Sequence, residues 1–468
     1  MAKIHINFQN HIGQIKPMHS VNNGPIVPQA HSFGNFEDYA AAGFPMARTH
    51  DASFSPAYGG PHTVDIIAIF PDFDADENDP ASYDFDLTDE YMENILASGT
   101  QVFYRLGNRI EHESKRYGAL PPKDYAKWAR ICEHIIRHMN EGWGNGHHYG
   151  IRYWEIWNEP DVNPQCWDGP IEDFYPLYDI AARHLKKCFP DLMIGGPASC
   201  SISSRWFLDG FFKYITRDPA DPAPLDFFSF HHYGREADDF ARDAVAAREL
   251  ADQYGYKDTE LVLNEWNYVR NWTREELLIS YYTIVGLKGS AYVASSVLSA
   301  QHSPLDHFMY YDASYSVKWN GLFDAYSQKP LKSYYPLKAF GELYRLGTEV
   351  FSESDTHGVY TAAAVSADES EAAILLSYYL DHPSIDGSGT EDKTLTLTLE
   401  WEGFASETGV EVEYSILDAA HNMDVISKET FRGSSGGHDL GLPLYTTVLV
   451  KLIKAVRQGG SLKIDGPD

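Results

Sequence analysis

The run Tyr153, Trp154, Glu155, Ile156, Trp157, Asn158, Glu159, Pro160 has the composition of a short buried strand. Its aromatic and β-branched residues stop at a proline, which cannot donate to a sheet ladder, so the strand is expected to end at the acid. A second run, Glu260 to Leu263 followed by Asn264, Glu265, Trp266 and Asn267, repeats the design. Side chains alternate along a strand, which puts Glu155 on the same side as Glu159. If that side faces a barrel interior, its charge needs a partner, and an arginine is the expected one.

Working outward, short apolar runs alternate with amphipathic stretches from about residue 40 to 340, the pattern of βαβ units and a parallel sheet. Candidate strands are Phe44 to Arg48, Gln101 to Leu106, Arg152 to Trp157, Met193 to Gly195, Asp226 to Phe230, Leu261 to Leu263 and Ala291 to Leu298, with one more near the start of the chain. Tyr125, Trp128, Ile131, Cys132, Ile135, Ile136 and Met139 recur at helical spacing, and Thr273 with Glu276 reads as a capping box. About 300 residues of this kind suit a (β/α)8 barrel. After Gly347, Leu395, Leu397 and Leu399 alternate with threonines, which predicts an antiparallel β-sandwich that packs as a partner rather than binding sugar itself. The expected organisation is an N-terminal strand at 1–15 joining the sandwich, a barrel at 16–345, the sandwich at 346–457 and a tail at 458–468.

Barrel enzymes draw catalytic groups from the C-terminal ends of different strands, which open onto one face. Two glutamates delivered there match the demand of glycoside cleavage, in which one carboxylic acid protonates the leaving oxygen while a carboxylate attacks or stabilises the anomeric carbon. Apolar walls such as Trp154 and Trp157 disfavour the charged form of one, and donors or a cation favour it in the other. Arg48 is the candidate cation for Glu265. Asn158 and Asn264 are candidate donors to sugar hydroxyls. His50 and His231 could bind the same hydroxyls, and Trp157 and Trp266 could stack on a sugar face.

WEIWNEPD at 154–161 resembles the acid/base segment of glycoside hydrolase family 39, the β-xylosidases and α-L-iduronidases within the clan of (β/α)8 retaining glycosidases. DFFSFHHY at 226–233 resembles that family's sixth-strand segment, which implies that His231 and Tyr233 lie beside the nucleophile. Ala47 to His50 resembles the second-strand segment whose arginine and histidine reach the first sugar, and 321–340 resembles the closing segment of the barrel. The resemblance implies Glu159 as general acid/base after strand four, Glu265 as nucleophile on strand seven, exo action, and β-xyloside hydrolysis by double displacement. LNEWN at 263–267 is closer to the arabinofuranosidases of family 51, which keeps an α-L-arabinofuranoside open as substrate. An iduronidase-like activity would need a cation for the uronate, with Arg109, Arg235 and Lys318 as candidates. A catalytically silent carbohydrate-binding protein is the non-enzyme alternative.

The 468 residues, 43% hydrophobic, can bury one large core and a smaller one. A net charge of −30 with no basic run excludes nucleic acid and anionic membranes as partners, leaving a glycoside or oligosaccharide; the sequence leaves the oligomeric state open. MAKIHINFQN contains no apolar signal core, so a cytoplasmic location is expected, or a secreted or periplasmic one if a leader has been removed. Cys132, Cys166, Cys188 and Cys200 lack paired spacing and are expected as reduced thiols. The acidic stretch Asp72 to Asp79 fails the EF-hand pattern, because Glu77 stands where glycine is required. Gly433 to Gly437 matches GxSxG without a strand-to-helix elbow, and Gly142 to Gly146 precedes a strand instead of following one. No cofactor and no metal are predicted.

Overall fold

The computed structural model describes residues 2–28, 33–50, 62–108, 114–314, 319, 321–383 and 393–455. The chain forms two compact units: Lys16–Gly341 with Leu380–Ser388, and Met1–Ile15 with Glu342–Tyr379 and Gly389–Asp468.

In sequence order the strands begin with β1 (Ala2–Gln14), followed by β2 (Ser20–Asn22), β3 (Met46–Thr49), β4 (Gln101–Leu106), β5 (Tyr153–Ile156), β6 (Met193–Ser199), β7 (Phe227–Gly234), β8 (Glu260–Tyr268) and β9 (His307–Tyr310). Strands β2 to β9 pair in parallel, each with the next and β9 with β2, and close an eight-stranded barrel. The chain is thus a (β/α)8 barrel with a C-terminal β-sandwich.

The barrel interior is layered by the strand alternation. Met46, Phe103, Tyr153, Phe227, Val262 and Met309 form one apolar layer. Two residues further along their strands stand Arg48, Arg105, Glu155 and Asn264, all fully buried. The core therefore turns from hydrocarbon to ion pairs in one pleat, and the site lies beyond the ion pairs.

Ala291 to Leu298, expected as a strand, belongs instead to the helix Leu287–Gln301, and the eighth barrel strand is the four-residue β9. That helix is buried on nearly every side, so its small and apolar residues show no amphipathic stripe, and such a run cannot be told from a strand by periodicity. The expected capping box is also absent. Thr273 caps Arg274–Ile284 without a side-chain hydrogen bond, while Glu276 pairs with Arg270 at 3.1 Å.

In the second unit, β10 (Thr348–Ser354), β11 (Val359–Val365), β12 (Glu371–Tyr378), β13 (Thr394–Glu402), β14 (Val410–Leu417), β15 (Asn422–Phe431), β16 (Ser435–Pro443) and β17 (Thr447–Lys454) join β1 in one sheet ordered β15-β14-β17-β12-β11-β10-β1-β13-β16. Its two ends fold over to face each other: Trp401 on β13 packs 5.9 Å from Phe431 on β15, and Tyr414 on β14 packs 4.6 Å from His438 on β16. The N-terminal strand lies inside this sheet, antiparallel to β10 and parallel to β13. Residues 458–468, expected as a tail, lie outside the described residues. All four cysteines are free thiols, and no helix among the described residues is long and apolar enough to cross a membrane.

Candidate active site

Glu159 does not end its strand: β5 stops at Ile156, and the acid follows three residues later in a tight turn. Trp157 (φ 73°) and Glu159 (φ 44°) both adopt the left-handed backbone region, which is costly for side chains with a Cβ and persists only where neighbours enforce it. Two backbone hydrogen bonds do so, from Trp157 N to the Leu106 carbonyl (2.7 Å) and from Glu159 N to the Ala198 carbonyl (2.8 Å). Asp161 anchors the far side by accepting from Cys200 N at 3.0 Å.

Glu265 lies inside β8 rather than at its end. The pairing of β7 with β8 slips between Phe230 and His231, so that Asn264 is an extra residue on β8. This bulge turns two consecutive side chains inward: Asn264 donates to Glu155 Oε1 (2.5 Å), and Glu265 points into the site. Asn264 is consequently occupied within the interior layer instead of being free for a sugar hydroxyl.

Four polar side chains surround Glu265. Arg48 Nη1 donates to Oε1 at 2.7 Å, His50 Nε2 lies 3.1 Å from the same oxygen, and the Tyr233 hydroxyl donates to Oε2 at 2.9 Å. His231 Nδ1 lies 3.6 Å from Oε2 and 2.8 Å from Glu159 Oε1, so one imidazole sits between the two carboxyls. An oxygen of Glu159 lies within 4.8 Å of an oxygen of Glu265. Glu159, His231 and Glu265 converge as metal ligands would, yet both Glu265 oxygens already receive donors.

The environments push these carboxyls apart. Burial raises Glu159 above the ordinary carboxylate range, and the Glu265 charge adds to this, with His231 opposing. Burial acts upward on Glu265 as well, but His231, His50 and Arg48 outweigh it and draw its pKa down to about 2. His231 is raised: burial lowers it, and the two carboxyls outweigh burial. The rate should therefore require Glu159 protonated and Glu265 ionised. A kcat/KM pH profile is expected to fall on its alkaline side as Glu159 loses its proton, above the usual carboxylate range, and to keep activity on its acid side down to low pH. His231→Ala removes a positive neighbour from both acids, so both limbs should move to higher pH; unmoved limbs would contradict this assignment.

Arg48 carries the frame. Besides Glu265 it donates from Nε to Glu155 Oε2 (2.7 Å), from Nη1 to Asn22 Oδ1 (3.1 Å) and from Nη2 to Asn158 Oδ1 (2.7 Å). Asn158 is thus held by the guanidinium through its oxygen, leaving its amide as the group available to a ligand. Trp266, expected to stack on a sugar, is a correction: its ring is fully buried and packs flat on Phe308 at 4.2 Å, with Phe240 at 5.2 Å. Alternation turns it outward, beneath the helices. Of the cation candidates, Arg235 lies 3.7 Å from Asp381, and Arg109 and Lys318 fall outside the described residues.

Sequence reasoning missed an aromatic group beside Tyr233. Trp319 and Trp272 lie 5.3 and 5.6 Å from the Tyr233 ring, and Tyr311 lies 6.4 Å from it. Asn267 positions two of them, donating to the Tyr311 carbonyl (2.6 Å) and the Trp319 carbonyl (3.0 Å). Cys166 was missed too; its thiol donates weakly to Glu159 Oε2 at 3.9 Å. No local motif marks either group.

A (β/α)8 barrel that holds a raised and a lowered carboxyl after its fourth strand and on its seventh, joined by a histidine from its sixth, defines the class of paired-carboxyl barrel proteins. Residues 59–270 match the family model of glycosyl hydrolases family 39. It is 32% identical over 174 residues to a β-xylosidase of Geobacillus stearothermophilus and 33% identical over 146 residues to one of Caldicellulosiruptor saccharolyticus. These alignments cover 36% and 31% of this chain, and they span only 29% and 26% of the relatives' length. Among solved structures, a glucosidase from Croceicoccus marinus shares the fold at TM-score 0.81 and 22% identity, covering 97% of this chain and 99% of that one. A monomeric β-xylosidase from Caulobacter crescentus does so at TM-score 0.70 and 14% identity, covering 97% of this chain and all of the other.

Proposed function

We propose that this protein is a retaining exo-glycosidase acting on β-linked glycosides, with a β-xyloside as its substrate. One observation carries the mechanism: two carboxyls with oxygens within 4.8 Å of each other are driven to opposite protonation states. Carboxyl groups about 5 to 5.5 Å apart leave no room for an attacking water, whereas inverting enzymes separate them by roughly 6.5 to 9.5 Å. Glu159 gives its proton to the leaving oxygen as Glu265 attacks the anomeric carbon, forming a glycosyl ester. Glu159, now a carboxylate, takes a proton from water, which attacks the same carbon and frees Glu265. His231 remains between the two acids and lowers the cost of charge on Glu159 in the intermediate. The xyloside assignment is supported by the two relatives bearing the β-xylosidase name.

The test is hydrolysis of 4-nitrophenyl β-xyloside, β-glucoside, β-galactoside, α-L-arabinofuranoside and α-L-arabinopyranoside, with the first-formed anomer followed by NMR. The β-xyloside is expected to be the best substrate and to release β-xylose first. Initial release of the α-anomer would overturn the retaining mechanism; preference for the arabinofuranoside would overturn the sugar assignment alone.

A further inference from the structure

Asp89, His138 and His147 converge outside the site described above, and none of them contacts Glu159 or Glu265. Asp89 lies on the helix Asp86–Ala97, and His138 on the helix Tyr125–Glu141. The latter ends at Gly142, whose left-handed backbone (φ 77°) suits glycine, and the chain then turns back so that His147 N donates to the His138 carbonyl at 2.6 Å. Asp89 Oδ2 lies 3.1 Å from Nε2 of both histidines, and Oδ1 lies 3.0 Å from that of His138.

His138 cannot satisfy these contacts as a neutral ring. Its Nδ1 lies 2.9 Å from the Trp143 carbonyl, which only accepts, so Nδ1 carries the proton. Nε2 of a neutral imidazole is then a lone pair, and it is aimed at a carboxylate that also only accepts. Two acceptors at that distance need a cation between them, either a second proton or a metal ion. The rings are held in place: Phe85 stacks on His138 at 3.6 Å and Tyr149 on His147 at 4.4 Å.

We propose that Asp89 and the Nε2 atoms of His138 and His147 bind one divalent transition-metal ion of the zinc class. Two imidazoles and a carboxylate are a ligand set zinc accepts, and a tetrahedron of ~2.0 Å bonds has edges of about 3.3 Å, close to the 3.1 Å from the carboxylate oxygen to each imidazole. A backbone carbonyl on the far ring nitrogen is the partner that metal-binding histidines commonly have. The His147 and Asp89 side chains, 26% and 22% exposed, leave room for a water as fourth ligand. Bound there, the ion joins two barrel helices and the loop leading towards β5. A second convergence, Glu133, His184 and Cys188, is less suited, because Arg137 Nε donates to Glu133 at 2.8 Å and supplies the positive charge itself.

The full chain, stripped with chelator and dialysed, should bind one equivalent of Zn2+ in a calorimetric titration, and Co2+ should give the visible absorption of a tetrahedral site. Zn2+ should raise the melting temperature by several degrees. His147→Ala, a change at a partly exposed loop position, should abolish the binding and the thermal shift, and His184→Ala should keep both. Failure of the wild type to bind Zn2+, or a stoichiometry unchanged in His147→Ala, would show that the cation is a proton and that Asp89 bridges two histidines by hydrogen bonds only.

Discussion

Glu265→Ala is expected to lower kcat by on the order of 10^4-fold or more, the scale seen when a covalent nucleophile is removed and binding alone remains. Affinity for the sugar should survive, since Arg48, His50 and Tyr233 keep their places around the vacated space. Azide can enter that space and attack an activated aryl glycoside from the nucleophile's face, giving a single inversion and an α-glycosyl azide. Glu159→Ala tests the other face. There the glycosyl ester still forms from an activated substrate, and azide arriving from the acid/base side gives the β-glycosyl azide. Identifying both products by NMR fixes the two roles independently of rate, and exchanged products would exchange the assignments. A Glu265→Ala enzyme with near wild-type turnover would remove the mechanism altogether.

Arg48→Met should be the most damaging change to the frame. Arg48 and Glu155 are fully buried and Glu265 nearly so, and removing one member of a buried ionic group strands the others, typically at a cost of about 3–5 kcal/mol. The rate should fall as well, by roughly 10^2-fold, the effect of losing one preorganised donor. Lysine cannot substitute, because a single ammonium cannot reach Glu155, Asn22, Asn158 and Glu265 from one planar group. The pH dependence separates this account from simple loss of packing. Glu265 has its pKa lowered by folding, so the stability it contributes is present above the unfolded value and is lost as pH falls toward about 2. The stability gap between wild type and Arg48→Met, measured by denaturant unfolding, should therefore be largest near neutrality and shrink in acid. A gap independent of pH would mean that charge pairing is not the cause.

The parts of this architecture that follow from strand alternation are legible in the sequence. Period two placed Glu155 in the interior beside an arginine, and Arg48 is there at 2.7 Å. The same rule puts Trp266 on the side opposite Glu265, beneath the helices, and it excludes the sugar-stacking role given to that ring. His231 and Tyr233 share a face for the same reason, while His232 between them turns out to Asp243 at 2.6 Å. What could not be read was whatever depends on the neighbouring strand. The bulge at Asn264 exists only in the register of β8 against its neighbours β7 and β9, and the left-handed turn at Glu159 is enforced by carbonyls on β4 and β6. The eighth strand was lost to a helix with no wet side, and Trp319 came to Tyr233 through Asn267, more than 50 residues away in sequence.

The place of β1 within its sheet has a consequence for how the molecule is made. Ile4 pairs with Ser354 on one side and Leu399 on the other, so this strand waits for partners synthesised hundreds of residues after it. Contacts so distant in sequence close slowly. Until they close, β1 exposes Ile4, Ile6 and Phe8 along two unpaired edges, the template on which chains associate. The acids at its borders, Glu353, Glu400 and Glu402, cannot guard it during that interval, because they have not yet been made. Aggregation during synthesis is the hazard that this arrangement creates.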